Sequence, residues 1–174
     1  MIDLETLGTR ADSVIISIGA VKFDPDSDAL DNDGFYASVS IDSNTEAGRH
    51  IGEDTLLWWM GQSPAAQAVF REAKIVLGVA LDELQAFFDR PDYQVWSNGA
   101  DFDIPMLAHA YHTHGLNAPW KFFNTNCFRT MKKLPFAKNA AKVENVLKHN
   151  ALTDAVTQAR QLQEYYKEMK KGAA

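Results

Sequence analysis

The first six residues, Met-Ile-Asp-Leu-Glu-Thr, place two carboxylic acids in a segment that is otherwise mostly apolar. Ile2 and Leu4 are typical of a short buried strand, and they alternate with Asp3 and Glu5. Since side chains alternate between the faces of a strand, Asp3 and Glu5 point the same way, roughly 6.5–7 Å apart. A buried carboxylate is costly unless it is paired or bound to a metal. The chain must therefore fold around a strand with one apolar and one acidic face.

Length and composition predict one globular domain, residues 1–174. The chain has 46% hydrophobic and 23% charged residues, which is ordinary for a domain with a sizeable core. No apolar run approaches the roughly 20 residues that cross a bilayer, and the polar start predicts no secretory signal. Together with the single cysteine, Cys127, these features predict a cytoplasmic protein with no membrane partner.

The charges are distributed unevenly along the chain. A net charge of −6 argues by itself against a nucleic-acid partner, because phosphate repels an acidic surface. Between residues 121 and 148, however, the only acid is Glu144, and the basic residues are Lys121, Arg129, Lys132, Lys133, Lys138, Lys142 and Lys148. This basic stretch is either a solvated face or a track for a nucleic-acid backbone.

The hydrophobic pattern predicts strands first and helices later. Residues 13–23 and 34–41 have the composition of strands, and with the first strand they predict a three-stranded antiparallel meander. Further strands are predicted at 93–99 and 120–124. Helices are predicted at 53–62, 63–73, 76–90, 103–115, 127–134 and 151–169. This order predicts an α/β fold with a mixed five-stranded sheet and helices on both faces.

Further polar residues later in the chain extend the acidic set. Asp103 follows the fourth predicted strand and the turn formers Asn98 and Gly99, and alone it would be an ordinary helix N-cap. Asp154 lies in the first turn of the last helix, where alone it would merely complement the helix dipole. His149 precedes it by five residues. Together with the acids of the first strand, these residues form one set of carboxylates with one imidazole.

The order and spacing of this set are similar to the motifs of the DEDDh 3′–5′ exonucleases, which belong to the RNase H-like superfamily. The segment DLETLG resembles the first motif, D-x-E-T-x-G, and NGADFDIPML resembles the second, whose aspartate follows a phenylalanine. HNALTDA resembles the third motif, in which a histidine precedes the aspartate by five residues. TLLWWMGQS and VWSNGADFD further resemble the phage DexA-like and the RNase AS-like exonucleases. The resemblance extends over nearly the whole chain.

This resemblance implies an RNase H-like sheet and hydrolysis from the 3′ end of single-stranded RNA or DNA, which releases nucleoside 5′-monophosphates. It implies two divalent ions, Mg²⁺ or Mn²⁺, because hard cations prefer carboxylate oxygens and a pair can serve both the attacking and the leaving oxygen. The expected ligands are Asp3, Glu5, Asp103 and Asp154, with Asp3 bridging both ions. His149 completes the catalytic set as the general base. The expected substrate contacts are Thr6, Leu7, Asn98, Gly99 and Phe102. Related exonucleases also imply a homodimer.

Two alternatives concern metal ligands. Asp101 competes with Asp103 as the third acid, although the Phe-Asp pair of the motif aligns with Phe102 and Asp103. A cluster of three histidines could suggest zinc, but no cysteine or acid completes a tetrahedral set. The histidines are His109, His112 and His114.

The aromatic pair, the start of the chain and the function each leave more than one possibility open. Trp58 and Trp59 cannot both face inward from one helix, and the sequence does not tell which one does. Since only Met1 and Ile2 precede Asp3, the first strand is short or native residues are missing before it. A different function on the same fold is a non-catalytic nucleic-acid-binding module. A nucleotide-binding α/β protein is a third possibility, but the chain has no glycine-rich phosphate loop.

Overall fold

The computed structural model describes residues 1–31 and 33–172. Its strands are β1 (Ile2–Thr6), β2 (Ile15–Ala20), β3 (Phe35–Ser38), β4 (Val95–Ser97) and β5 (Thr125–Cys127). Its α-helices are α1 (Ile41–Glu46), α2 (Glu53–Met60), α3 (Leu77–Phe87), α4 (Asp103–Thr113), α5 (Phe128–Met131) and α6 (Ala151–Gly172). The predicted α/β class is confirmed. Within the described ranges, every helix is too short or too polar to cross a lipid bilayer.

The strands form two sheets. β1, β2 and β3 pair antiparallel in that order, as predicted, whereas β4 and β5 form a separate parallel pair. The prediction of one five-stranded sheet therefore does not hold for the hydrogen bonding of the described residues. The reason lies at the free edge of β1, where the amide of Leu4 donates to Oδ1 of Asp103 (3.1 Å) instead of to a strand carbonyl.

The two faces of the three-stranded sheet differ in chemistry. Ile2 and Leu4 of β1 belong to a hydrophobic core that also includes buried residues of α3 and α4. The opposite face carries Asp3 and Glu5, with Gly19 of β2 directly across from Asp3. The apolar and acidic faces expected for the first strand are thus both present, and α6 covers the acidic one.

Gly19 lets α6 approach the acidic face closely. A Cβ at this position would overlap the backbone of Ala151 and Leu152, at the beginning of α6. The apolar side of α6 packs in a second hydrophobic cluster, which contains Met1, Val21, Trp96, Phe128, Ala155, Ala159, Leu162 and Tyr165. Because the first turn of α6 lies on β2, Asp154 in that turn is held over the acidic face.

Three predicted elements differ in the structure. The helix expected at 63–73 is a 3₁₀ segment, Ala66–Arg71, which is tied back to the end of α2 because the Gln67 amide donates to three carbonyls there. The strand expected at 120–124 is a 3₁₀ turn, since its phenylalanines are exposed and the strand begins at Thr125. The third strand ends at Ser38, because Ser40 caps α1.

Candidate active site

The acidic face of β1 borders an open cleft of about 360 Å³ beside the first turns of α6. The cleft is lined by Asp3, Leu4, Glu5, Asn98, Asn145, Lys148, His149, Asp154 and Gln158. The fold thus brings four of the five predicted catalytic residues into one cavity, from β1, from the loop before α6 and from α6 itself. The fifth, Asp103, contacts the edge of β1.

Glu5, His149 and Asp154 form the tightest group. One potential ligand atom from each of them lies within 4.8 Å of the others. The carboxylate of Asp154 is held on both sides, since the His149 amide donates to Oδ2 (3.0 Å) and the Asn145 side chain donates to Oδ1. These bonds orient the Asp154 carboxylate toward Glu5 and join it to the backbone of the predicted general base.

Asp3 and Asp103 extend this group along β1. Nε2 of Gln158 donates to Oδ1 of Asp3 (2.7 Å). Asp103 is buried, and the Leu4 amide fixes its carboxylate against the strand. Asp101, its competitor as third ligand, is exposed to solvent. The placement of these two aspartates therefore favours Asp103.

Burial raises the pKa values of the four carboxyl groups, and for Asp3 and Glu5 the repulsion from neighbouring acids adds to this effect. Burial, together with the charges of Asp103, Glu5 and Asp154, raises the pKa of Asp3 well above its ordinary value. Burial and the same kind of repulsion raise the pKa of Glu5 to about 8. Burial also raises the pKa of Asp103 to about 7, against the hydrogen bond from Leu4, and it raises the pKa of Asp154.

Such a donor set fits a hard divalent cation. The four acids in or beside the cleft offer carboxylate oxygens, which are the ligands that Mg²⁺ and Mn²⁺ prefer. A bound cation would favour the ionised form of these acids and so oppose the effect of burial on their pKa values. Two buried acceptors in the lining, Oδ1 of Asn98 and Oε1 of Gln158, also find no hydrogen-bond partner among residues 1–31 and 33–172. The chemistry of the cleft therefore suits a cation together with hydrogen-bond donors, such as water molecules or groups of a substrate.

The aromatic pair of α2 divides between the core and the cleft. Trp59 is 2% exposed, and its Nε1 donates to the Thr6 carbonyl (2.8 Å). Trp58 is 45% exposed, and its ring lies edge-on to the ring of His149, with centroids 5.0 Å apart. His149 also has a left-handed backbone, with φ of 62°. Its imidazole is thus held between Trp58 and the carboxylates.

Of the five predicted substrate contacts, some lie at the cleft and others are buried in the protein. Asn98 lines the cleft, and Gly99 forms the adjoining turn with φ of 140°, a conformation that favours glycine. Thr6 is buried and its hydroxyl donates to a backbone carbonyl. Leu7 is 1% exposed and Phe102 packs against the main core, so the structure does not bring the Leu7 side chain to the surface of the cleft. The binding roles of all five stay predictions.

The sequence did not single out Asn145, Gln158 or the contact of Trp58 with His149. Gln158 has a detectable signal, because it lies four residues after Asp154 and hence on the same face of α6. Asn145 and Trp58 reach the cleft through loop and tertiary packing, for which local patterns give no signal. The histidine cluster has a structural explanation, since the Arg49 guanidinium lies 3.3 Å from Nδ1 of His109 and disfavours a cation there.

The comparisons with known proteins agree with this chemistry. The family described as "3'-5' exoribonuclease Rv2179c-like domain" matches residues 1–166, which include every residue of the cleft. An exodeoxyribonuclease of Enterobacteria phage T4 is 26% identical over 119 residues, or 62% of this chain and 52% of the phage protein. The chain thus spans about half the length of that relative, and both matches support a nuclease. The chain belongs to the Rv2179c-like 3′-5′ exoribonuclease domain family.

Proposed function

We propose that this protein is a divalent-metal-dependent 3′–5′ exonuclease. It would hydrolyse phosphodiester bonds from the 3′ end of single-stranded RNA or DNA and release nucleoside 5′-monophosphates. The observation that carries the proposal is the convergence of Asp3, Glu5, His149 and Asp154 in one open cleft. A binding module without catalysis would not need a histidine held among these carboxylates.

The carboxylates of Asp3, Glu5, Asp103 and Asp154 would hold the metal ions. When bound, two such ions supply Lewis-acid activation of water and stabilisation of the leaving 3′ oxygen. The protein contributes a rigid oxygen cage, since β1 carries two of the acids and α6 is locked onto β2 at Gly19. Asn145 and the backbone of residue 149 keep the carboxylate of Asp154 oriented.

His149 would accept the proton of the attacking water at an imidazole nitrogen. An imidazole suits this role because either ring nitrogen can act as the acceptor while the other carries a hydrogen. Trp58 restricts the ring to the side that faces Glu5 and Asp154. General-base catalysis of this kind contributes about 10²–10⁴-fold to the rate.

The nucleic acid would approach along the basic stretch. Lys148, the last basic residue of that stretch, lines the cleft, and its ammonium group can neutralise a phosphate that enters the acidic site. The two relatives differ in sugar, because the family description names an exoribonuclease and the phage protein is an exodeoxyribonuclease. RNA and DNA substrates therefore have to be compared directly.

The test uses matched single-stranded RNA and DNA oligonucleotides with a 5′ label, incubated with Mg²⁺, Mn²⁺ or EDTA. We expect a metal-dependent ladder that shortens from the 3′ end. Asp3→Asn should abolish the ladder, whereas Asp101→Asn, which changes an exposed acid nearby, should leave it intact. Immediate release of a labelled mononucleotide would contradict the 3′–5′ direction, and an active Asp3→Asn variant would contradict the assigned site.

A further inference from the structure

Gln158 links the two elements that form the acidic cleft. It lies one helical turn after Asp154 on α6, and Nε2 donates to Oδ1 of Asp3 on β1 across a separation of 155 residues. The ionised carboxylate that binds a metal accepts hydrogen bonds only, so the amide has to present Nε2 to it, because its carbonyl oxygen would repel the negative charge. The bond therefore has a fixed direction, with Gln158 as donor and Asp3 as acceptor.

The other end of the Gln158 amide is its carbonyl oxygen, Oε1. Oε1 of Gln158 is buried and accepts no hydrogen bond from the part of the chain that the structure describes. A buried acceptor without a partner is destabilising, and this cost offsets part of the stability that the hydrogen bond from Nε2 to Asp3 contributes. Fold stability alone therefore does not explain the unpaired oxygen of this glutamine, whereas a ligand site beside it does.

Asp3 needs such a donor because its surroundings are acidic. Glu5 lies on the same face of β1, and Asp103 and Asp154 are close enough to repel its charge. Without this hydrogen bond, the carboxylate of Asp3 can rotate away from the neighbouring carboxylates. Such a rotation removes one of the oxygen ligands on which a cation in the cleft depends.

We propose that Gln158 is a positioning residue, which holds the carboxylate of Asp3 in the orientation that binds the metal. This inference rests on the proposed metal-dependent nuclease function. The amide acts through Asp3 and needs no contact of its own with the scissile phosphate. Its free Oε1 can accept a hydrogen bond from a water molecule that enters the cleft with the cation.

The test is a calorimetric titration of Mn²⁺ into the full chain without nucleic acid, with the wild type compared to Gln158→Met. Methionine has nearly the same length but donates no hydrogen bond. We expect Mn²⁺ affinity to fall roughly ten- to hundredfold, which is typical for loss of a group that orients a metal ligand. The melting temperature should change little, because the lost bond to Asp3 is offset by removal of the buried unpaired Oε1. The KM for a 5′-labelled oligonucleotide should stay constant, while kcat falls at limiting Mn²⁺ and recovers when Mn²⁺ is raised.

The matched control is Gln161→Met on the same helix. The Gln161 amide bonds to the backbone of residues 141 and 143, outside the lining of the cleft, so its loss should leave Mn²⁺ affinity unchanged. If Gln158→Met does not fold, Gln158→Asn keeps the amide but is too short to reach Asp3, and it should show the same loss of affinity.

The outcomes separate this inference from the proposed function. A wild type that neither binds Mn²⁺ nor cleaves nucleic acid overturns both. A wild type that binds Mn²⁺ and cleaves, beside a Gln158→Met or Gln158→Asn variant with unchanged Mn²⁺ affinity, overturns the positioning role alone. A lower melting temperature with unchanged affinity would likewise assign Gln158 to the fold and not to the metal site.

Discussion

The backbone of His149 is in the left-handed region, which is uncommon for residues other than glycine, although asparagine, aspartate and histidine are enriched there. Such a conformation costs about 1–3 kcal/mol and persists only where neighbouring contacts enforce it. Here the enforcing contacts are the bond from the His149 amide to Asp154 and the packing of the ring against Trp58. A strained backbone at the proposed general base is a reason to test whether the position of the imidazole serves the proposed reaction.

His149→Asn tests this interpretation, because asparagine tolerates the left-handed backbone but has no imidazole. We expect turnover to fall by about 10²–10⁴-fold, while the melting temperature stays constant or rises as strain is relieved. His112→Asn, at an exposed position of α4, should change neither quantity. The assignment fails if His149→Asn keeps full activity, and a large loss of stability would show that the ring contacts outweigh the strain.

At the scale of elements, the contact between α6 and β2 decides where Asp154 lies. Gly19→Ala would place a Cβ in the backbone of the first turn of α6, so the helix must move away from the sheet. Overpacking of this kind costs about 1–3 kcal/mol, and we expect a loss of activity beyond the fraction that unfolds. Melting curves and initial rates measured on the folded protein distinguish the two effects.

Gly78→Ala is the control for that substitution. A Cβ at Gly78, inside α3, meets only an ordinary contact with His114. Alanine in a helix interior is more favourable than glycine by about 0.5–1 kcal/mol, so this variant should be slightly more stable and equally active. If Gly19→Ala also melts and cleaves like the wild type, α6 does not depend on the glycine for its position.

The elements that the sequence predicted correctly are those with strong local patterns. The meander of β1–β3 and the helices α3, α4 and α6 follow from alternation or helical periodicity over many residues. The predictions of a helix at 63–73 and a strand at 120–124 were wrong because the conformation of each segment depends on tertiary contacts. An example is the contact of Gln67 with the end of α2. At the edge of β1 the Leu4 amide bonds to Asp103 and not to a neighbouring strand, and no local pattern encodes this tertiary contact.

Across the whole molecule, the cleft is built from segments that lie far apart in the chain. The motifs indicated which acids and which histidine to consider, since each stands at a recognisable place at a strand or helix end. The residues that orient them, Asn145 and Gln158, act across elements, and a single sequence gives no register between elements. Motif chemistry was therefore predictable, whereas the hydrogen bonds that set its geometry were not.

The stability of the whole protein should depend on pH and on metal together. In the folded chain the pKa of Glu5 is about 8 and that of Asp103 about 7, above their ordinary values of 4.5 and 3.8. At pH values between its ordinary and its raised pKa, each of these carboxyls binds more protons in the folded state than in the unfolded state, so its contribution to stability falls as the pH rises. A divalent cation that binds only the folded, deprotonated cluster opposes this fall.

We therefore expect the melting temperature in EDTA to decrease from about pH 5 to about pH 8, and Mn²⁺ to raise it most at the upper end of this range. Glu5→Gln, which is neutral in both states, should flatten the decrease in EDTA and weaken the effect of Mn²⁺. Thermal melts at a series of pH values, with and without the ion, measure both effects. The buried amine of Met1, whose pKa burial lowers to about 5, contributes in the opposite direction, so the deciding comparison is between the wild type and Glu5→Gln. The same pH dependence in both proteins would mean that burial holds no proton on Glu5, and Mn²⁺ stabilisation independent of pH would place its binding outside the cleft.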